Sequence, residues 1–532
     1  MRELSFWGWG WADRFPDEET RRGLVSFAEN TLGFSGLSPR PLPVLDAIQV
    51  RRPRIELHGR LAELCSVDRV DRIRHTYGRS YRDIFRGFTG DFSVAPDAVA
   101  HVRNEADLEL LFEHCGRMGI ALVPYGGGTS VVSGIEPIID KSFNGVITAD
   151  LRLLDKVLEV DTVSRAARIQ AGATGPALEQ QLAPQGLSLR HFPQSFEHST
   201  LGGWLATRAG GHFATIYTHI DDLTESIRMV TPIGLWESRR LPGSGAGPSP
   251  DRTVLGSEGT LGVITEAWMK LHPRPRYRSS ASVLFQEWKA AVDAVRALSR
   301  SGLYPTNCRL IDAREATLNQ IDGSGRHVLL LAFESGDHQG TAKMARAVEI
   351  VTAHGGEIPK GVIERDEGAR IEGTQAGAWK NAFLDAPYLQ SVLLSLGVIA
   401  DTFETACTWD RFKALHAGVT GAVTEVMQRL CGGGRVTCRF THVYPDGPAP
   451  YFTFLAPAKA GEELMAWTAI REAAGEAILR HGGTITHHHA VGRLHRPWYD
   501  RQRPEPFAVG FRAMKKAIDP AGILNPGVLI DP

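Results

Sequence analysis

The stretch Pro124-Tyr125-Gly126-Gly127-Gly128-Thr129-Ser130 constrains this chain more than any other. It follows an apolar run, Ile120 to Val123, of a length that suits a buried strand. Three glycines in succession carry no Cβ, so the backbone can turn sharply and come close to whatever lies against it. N–H groups presented in series by such a turn form a concavity for an anion, and Thr129 and Ser130 add hydroxyl donors. The chemistry is that of a pyrophosphate seat. The Gly-Lys-Ser/Thr ending of a P-loop is missing, as is the Gly-x-Gly-x-x-Gly order of a dinucleotide turn. Taken alone, the stretch fits an ordinary glycine turn equally well.

Two more stretches of small and hydroxyl residues lie further along. His191 to Trp204 (HFPQSFEHSTLGGW) runs into Ala206 to Gly211, and Gly256 to Ile264 (GSEGTLGVI) leads into a strand. Both suit close approach of a flat or phosphorylated ligand. Around them the pattern is α+β. Ala106 to Met118 has apolar residues at helical spacing, Val146 to Ala149 is a short strand, and Ala167, Ile169 and Ala171 alternate with polar residues. Pro176 to Ala183 reads as a short helix, and Leu241 to Pro250 as an exposed loop.

The chain divides into four regions. Residues 1–95 are an irregular, partly helical lead-in with an aromatic run, Phe6 to Trp11, that packs elsewhere, and a polar loop from Arg74 to Asp83. Residues 96–275 hold the three glycine stretches. Residues 276–458 alternate strand and helix candidates, as expected of a helix-covered sheet on the substrate side. Residues 459–532 are helical, with Ala460 to His481 and Phe507 to Ile518 as helices and a rigid Asp519 to Gly527 turn.

Composition narrows the function classes. The 532 residues are 43% hydrophobic and 22% charged, with a formal net charge of −1, so no basic face for nucleic acid is expected. Six cysteines are scattered with no C-x-x-C pair, which favours free thiols in a reducing compartment. Met1 to Pro16 mixes charges with tryptophans and does not read as a signal peptide. The longest apolar run, Ser391 to Ala400, is too short to span a bilayer. The expectation is a soluble cytoplasmic protein, with peripheral membrane contact left open.

Four segments in order, PYGGGTS (124–130), SFEHSTLGGWLATRAGG (195–211), GSEGTLGVITE (256–266) and DPAGILNPGVL (519–529), resemble the flavoproteins of the vanillyl-alcohol-oxidase and p-cresol-methylhydroxylase superfamily. The resemblance implies FAD as cofactor, and an α+β fold with a two-subdomain FAD-binding domain, a cap domain and helical end segments. It implies that the cofactor lies against Pro124, Tyr125, Gly126, Gly127, Gly128, Thr129 and Ser130. It adds Gln194, Ser195, Glu197, His198, Ser199, Thr200, Gly202, Gly203, Thr207, Arg208 and Ala209, then Glu258, Gly259, Gly262, Val263 and Ile264. Within that superfamily the chain looks most like alkyldihydroxyacetonephosphate synthase. This rests on WGWG (7–10) with Asp13, SFEHSTLGGW, the segment Thr402-Phe-Glu-Thr to Trp409-Asp-Arg411, and Thr486-His-His-His-Ala-Val-Gly492. That likeness implies an enzyme that exchanges the acyl chain of acyl-dihydroxyacetone phosphate for a fatty alcohol. The same scaffold also serves FAD oxidoreductases acting on hydroxy acids, alcohols or amines, because fold does not fix chemistry. The partner implied is a small-molecule or lipid substrate, and the likeness suggests a homodimer.

By the family's motif, Tyr451 is the catalytic acid/base, with Tyr444 as the competing tyrosine, and His487, His488 and His489 assist in proton handling. Alternation along the strand puts Tyr451, Thr453 and Leu455 on one face and Phe452 and Phe454 on the other. No metal is expected. Metal-dependent 2-hydroxy-acid dehydrogenases of the superfamily use an H-x-G-D-G-N-L-H segment and a later Glu-His pair. Here His442-Val-Tyr-Pro-Asp-Gly-Pro-Ala-Pro lacks the second histidine, and His488 replaces the glutamate. Gln390 and Arg411 are the expected substrate contacts. Gln390 is a departure, because the synthases carry an arginine there, and a neutral amide cannot make arginine's charged bidentate contact with an anion. The loop before GSEG departs as well: Pro242 to Ser249 has no arginine, and Arg239 and Arg240 lie upstream.

Overall fold

A computed structural model describes residues 3–366 and 387–531. Three sheets organise it. The first has four strands in the order Cys65–Ser66, Ala98–His101, Gly145–Asp150, Ile120–Tyr125, and the last three are parallel. Parallel neighbours need a crossover, and the helix Glu105–Met118 supplies one. Asn104 caps it by accepting the N–H of Asp107, and Gly119 ends it at φ 62°. The strand Ile120–Tyr125 is almost wholly buried, as a strand between two covered faces must be. Its carboxyl end opens directly into the glycine loop, the position where open α/β sheets bind ligands.

The second sheet is antiparallel, in the order Val157–Asp161, Ala166–Gln170, Val263–Lys270, Thr224–Thr231, Gly234–Glu237. Its buried face packs on the short helix Leu201–Thr207, whose Trp204 is 2% exposed. That helix carries the second stretch of small residues, because Gly202 lies against Ala171, where a Cβ would meet the alanine methyl at 2.7 Å. The third sheet has seven antiparallel strands: Ile363–Arg365, Tyr277–Phe285, His327–Ser335, Asn307–Ile311, Arg435–Val443, Pro448–Pro457 and Val398–Glu404. Helices Trp288–Arg300, Thr341–Ala353 and Trp409–Cys431 bury their apolar stripes on one face. The expected alternation holds. Phe452 and Phe454 enter the helix-side core, while Tyr451, Thr453 and Leu455 face the opposite side.

The ends of the chain tie the sheets together. Trp7 and Trp9 are buried among Tyr81, Phe88, Leu394 and Trp467. Near the other end, Leu524 pairs with Leu122, and the Asn525 side-chain N–H group donates to the carbonyls of Gly134 at 3.0 Å and Glu258 at 2.7 Å. The loop expected at Arg74 to Asp83 runs between the helices Arg69–Arg74 and Tyr81–Phe88, and it is buried. His75, Tyr77, Arg79 and Asp83 are buried, and Ser80 opens the helix Tyr81–Phe88 with a capping box. His75 meets the buried Asp150 carboxylate, the Arg79 guanidinium donates to the carbonyls of Gly78 at 2.8 Å and Ser5 at 3.2 Å, and the Arg79 backbone N–H donates to the carbonyl of Ser130. No helix among the described residues is long and apolar enough to cross a membrane.

Candidate active site

One cavity runs between the glycine loop and the seven-stranded sheet. Its first wall is Gly126 to Val131. These glycines are needed for packing. A Cβ on Gly127 would sit 2.0 Å from the carbonyl oxygen of His198, and one on Gly126 would sit 2.4 Å from the Thr200 hydroxyl. Gly128 is at φ +69°, and a Cβ there would strike the Tyr125 hydroxyl at 2.1 Å. The first two glycine stretches therefore cross at backbone contact. Gln194, Ser195, Ser199, Thr200, Gly203, Thr207 and Ala209 continue the wall, with Gly210 and Gly211 behind them. A long groove of bare backbone and hydroxyls results, which fits a flavin dinucleotide.

Other expected cofactor residues lie off this wall. Pro124, Tyr125 and Gly202 support it from behind, and Gly202 is held by Ala171. Arg208 turns away to pair with Asp221 at 2.7 Å. Glu197 accepts the Trp11 indole N–H at 2.6 Å, and His198 lies 3.3 Å from the Tyr388 hydroxyl; both sit in a neighbouring cleft. The third glycine stretch acts as a brace. Glu258 is buried at φ +50° and accepts the N–H groups of Val491 at 2.9 Å and Gly492 at 2.8 Å, and burial pushes its carboxyl up to about 7. Gly259 closes on Pro124, Gly262 on Met229 and Val230, and Val263 and Ile264 start a buried strand.

The opposite wall carries the chemistry. Tyr451 is 4% exposed, its hydroxyl is 2.8 Å from that of Thr402, and its ring lies under the Arg439 guanidinium at 3.9 Å. Burial raises its pKa, and the Arg439 charge opposes that rise. Arg439 pairs with buried Glu315. Arg309, also buried on this wall, donates to the His212 carbonyl at 2.9 Å, and burial pushes it down to about 9. His488 and His489 line the cavity within 6.0 and 5.5 Å of the Tyr451 ring, centroid to centroid. His487 sits behind them, 2.8 Å from the Tyr444 hydroxyl. The structure thus puts Tyr451 on the cavity wall and Tyr444 behind the histidines. Burial holds all three imidazoles below the usual histidine range.

Of the expected substrate contacts, Gln390 reaches the cavity, but its amide is engaged. Oε1 accepts the Trp9 indole N–H at 2.9 Å, and Nε2 donates to the Ala400 carbonyl at 2.9 Å. Arg411 does not reach it. It lies exposed in the first turn of Trp409–Cys431, against the Gly482 turn, because its helix position faces away from the sheet. Arg240 is also distant from the cavity, bound to Glu225 and Asp161. Sequence reasoning missed Glu404. Buried at 1% exposure, it accepts the Thr486 hydroxyl at 2.6 Å and the backbone N–H groups of His487, His488 and His489. Its signal was its place in the Thr402-Phe-Glu-Thr segment, which carried the family resemblance but assigned the glutamate no role. Arg309, Arg439 and Trp9 were missed too, since nothing local marks the side of the fold they face.

Beyond the polar end, the cavity continues between the helix Glu18–Leu32 and the helix at 387–395. Leu24, Ala28, Leu32, Leu318, Leu393 and Leu455 line this limb.

Backbone cradle, buried tyrosine and facing cap sheet define a flavoprotein of the p-cresol-methylhydroxylase type. Two family models agree: the FAD binding domain matches residues 96–238, and the C-terminal domain of FAD linked oxidases matches 274–529. The cofactor is FAD. The chain is 32% identical over 478 residues to alkyldihydroxyacetonephosphate synthase of Dictyostelium discoideum, covering 87% of this chain and 78% of that one. It is 31% identical over 480 residues to the Trypanosoma brucei brucei enzyme of the same name, with the same coverage. A solved alkyldihydroxyacetonephosphate synthase superposes with a TM-score of 0.80 over 98% of both chains, at 27% identity. Substrate-bound p-cresol methylhydroxylase shares the fold, with a TM-score of 0.69 at 15% identity over 88% of this chain and 94% of that one. The chain belongs to the alkyldihydroxyacetonephosphate synthase family.

Proposed function

We propose that this protein exchanges the acyl chain of an acyl-dihydroxyacetone phosphate for a fatty alcohol, forming an ether bond. The observation that carries this is the shape of the cavity: a polar end at Tyr451 and His488 opens into the apolar limb of Leu24, Ala28 and Leu32. Such a limb suits an unbranched hydrocarbon, at about 0.8 kcal/mol per buried methylene, and a small hydroxy acid would leave it empty.

Gly126 to Ser130 would hold the FAD pyrophosphate, and Gln194 to Thr200, Gly203, Thr207 and Ala209 the rest of the cofactor. When bound, FAD supplies an electron-poor ring that takes an electron pair from the substrate carbon. The protein moves the proton. Tyr451 stays protonated at neutral pH through burial, while the overlying Arg439 guanidinium makes its phenolate less costly. His488 and His489, held neutral by burial and lying beside the Tyr451 ring on the same wall, would accept and return that proton.

One observation favours a second reading, oxidation of a hydroxy acid, alcohol or amine. Gln390 is neutral and already bonded to Trp9 and Ala400, so it offers an anionic headgroup no charge. Anaerobic mixing separates the two. Exchange of acyl for alkyl chains on labelled dihydroxyacetone phosphate, with the flavin spectrum unchanged, supports the transferase. Bleaching of the flavin by a hydroxy acid, reversed by air, would replace it with the oxidoreductase.

A further inference from the structure

A second cavity lies on the other side of the strand Val398–Glu404. Thr402 faces the catalytic cavity, and Phe403, the next residue, faces this one. It is a slot of about 210 Å³ between the helix Glu463–Arg480 and the segment 493–498. Trp467, Arg471, Ala474 and Ile478 recur at helical spacing and form one wall. Ile485, Leu494 and Trp498 form the other, with Trp498 seated on Gly475, where a Cβ would meet the indole at 2.6 Å. Thr468, Glu472 and Pro497 are exposed at the mouth.

Each side of this apolar slot carries a guanidinium whose hydrogen bonds go to neutral acceptors. Arg471 donates to the carbonyl of Thr402 at 2.6 Å and to Nε2 of His495 at 2.7 Å. His495 is neutral, since its Nδ1 faces the carbonyl of Ala490 at 2.8 Å and so carries the hydrogen, leaving Nε2 to accept. Arg493 donates to the carbonyls of Ile138 and Pro526, and its Nε is buried with no partner among the described residues. The carboxylates that act on the two arginines are engaged elsewhere. Asp401 accepts the Trp467 indole N–H at 2.7 Å and Glu404 holds the histidine turn, while Glu136 meets Arg86 and Asp531 meets Arg496. Buried donors of this kind call for an acceptor, and a charged acceptor makes the stronger bond. Glu472 is the one carboxylate on the slot's lining, and water at the mouth screens it.

We propose that this slot binds a small carboxylate bearing an aromatic group, and that its occupancy slows turnover through Arg471. Trp467, Trp498 and Phe403 supply faces for the ring, and Arg471 and Arg493 supply donors for the carboxylate. The coupling is short. Arg471 holds the carbonyl of Thr402, and the hydroxyl of that same threonine lies 2.8 Å from the hydroxyl of Tyr451. A carboxylate drawn onto Arg471 competes with that carbonyl and loosens the setting of Tyr451. The site is separate from the cavity that takes substrate, so its occupancy does not depend on which reaction that cavity performs.

Binding is tested first, without turnover. The FAD-loaded protein is titrated calorimetrically with 4-bromobenzoate, and crystals soaked in it are searched for anomalous scattering from bromine. The expected result is about one site per chain, with bromine between Trp467 and Trp498. 4-Bromobenzamide, similar in size but uncharged, should bind at least about tenfold more weakly. Ala474→Phe fills the slot from the helix and Thr468→Trp covers its mouth. Each should weaken binding at least about tenfold while keeping full FAD, which reports the fold. In turnover assays 4-bromobenzoate should lower kcat with little change in KM, and Ala474→Phe should remove that effect. No binding up to about 10 mM, or bromine in the catalytic cavity alone, would overturn the site. Equal affinity for the amide would overturn the carboxylate contact, and undiminished binding in both variants would place the ligand elsewhere. An unchanged kcat at saturation would overturn the coupling through Arg471.

Discussion

Oε1 of Glu404 accepts the backbone N–H of His489 at 2.9 Å, and the same carboxylate takes the N–H groups of His487 and His488. One buried anion therefore sets the path of the histidine turn, and through it the place of His488 and His489 beside Tyr451. Burial alone would raise its pKa, but the neighbouring imidazoles and four hydrogen bonds to the charged form hold it down to about 2. A depressed acid contributes stability that is present above its unfolded value, near 4.3, and is lost as pH falls through about 4 towards 2. Glu404→Gln turns an accepting oxygen into a donor facing N–H groups, at a cost of roughly 1–3 kcal/mol at neutral pH. The urea midpoint of flavin release should drop at pH 7, and the gap to wild type should close as the pH is lowered towards 2. An equal gap at all pH values would show that the carboxylate is not ionised in the folded protein.

Tyr451→Phe removes one hydroxyl bonded to Thr402 and leaves the ring under Arg439 in place. Turnover should fall by roughly 10²–10⁴-fold, the usual weight of a positioned acid or base. Bound FAD and melting temperature should stay near wild type, since Tyr451 faces the cap side of the cavity. Tyr444→Phe, behind His487, should cost less. A reversed order in the two kcat values would transfer the role to Tyr444.

Gln390→Ala removes the acceptor for the Trp9 indole and the donor to Ala400. Each such bond is worth about 0.5–1.5 kcal/mol net. Trp9 also lines the cavity and packs in the core with Tyr81 and Trp467. Limited proteolysis should therefore cut the N-terminal segment around Trp9 faster in the variant, with its KM for the lipid substrate rising more than kcat falls. Unchanged cleavage would mean that core packing alone holds the segment.

What the sequence disclosed depended on backbone chemistry. Gly126 to Gly128 announce themselves because no other residue permits that turn and that approach to His198. Period-2 alternation likewise grouped Tyr451 with Thr453 and Leu455 on one face of its strand, apart from Phe452 and Phe454. The sheet helices were legible through their apolar stripes, as in Trp409–Cys431. Relations made in space were not. Arg79 reads as one more charge in a polar loop until its buried guanidinium is seen on the carbonyls of Gly78 and Ser5, and Arg411 reads as a ligand until its helix turn faces outward. His219 and His487 are separated by 268 positions, and no local pattern foretells their 3.1 Å approach.

The crossing of the two glycine stretches makes the sharpest prediction about the cofactor. Gly127 is not left-handed, so alanine there is refused by space alone: its methyl would lie 2.0 Å from the His198 carbonyl oxygen and 2.8 Å from Cα of Ser199. Both are backbone atoms and cannot rotate away, so one of the two segments must shift. Gly127→Ala should purify with well under half the wild-type flavin per chain and lose several degrees in melting temperature, in line with overpacking costs of about 1–3 kcal/mol. Gly421→Ala provides the comparison. It lies in the helix Trp409–Cys431, away from the cavity, and a Cβ there meets nothing within 4 Å, so that variant should keep its yellow colour. If Gly127→Ala bound FAD as fully as wild type, the groove between the two stretches would not be where the cofactor lies.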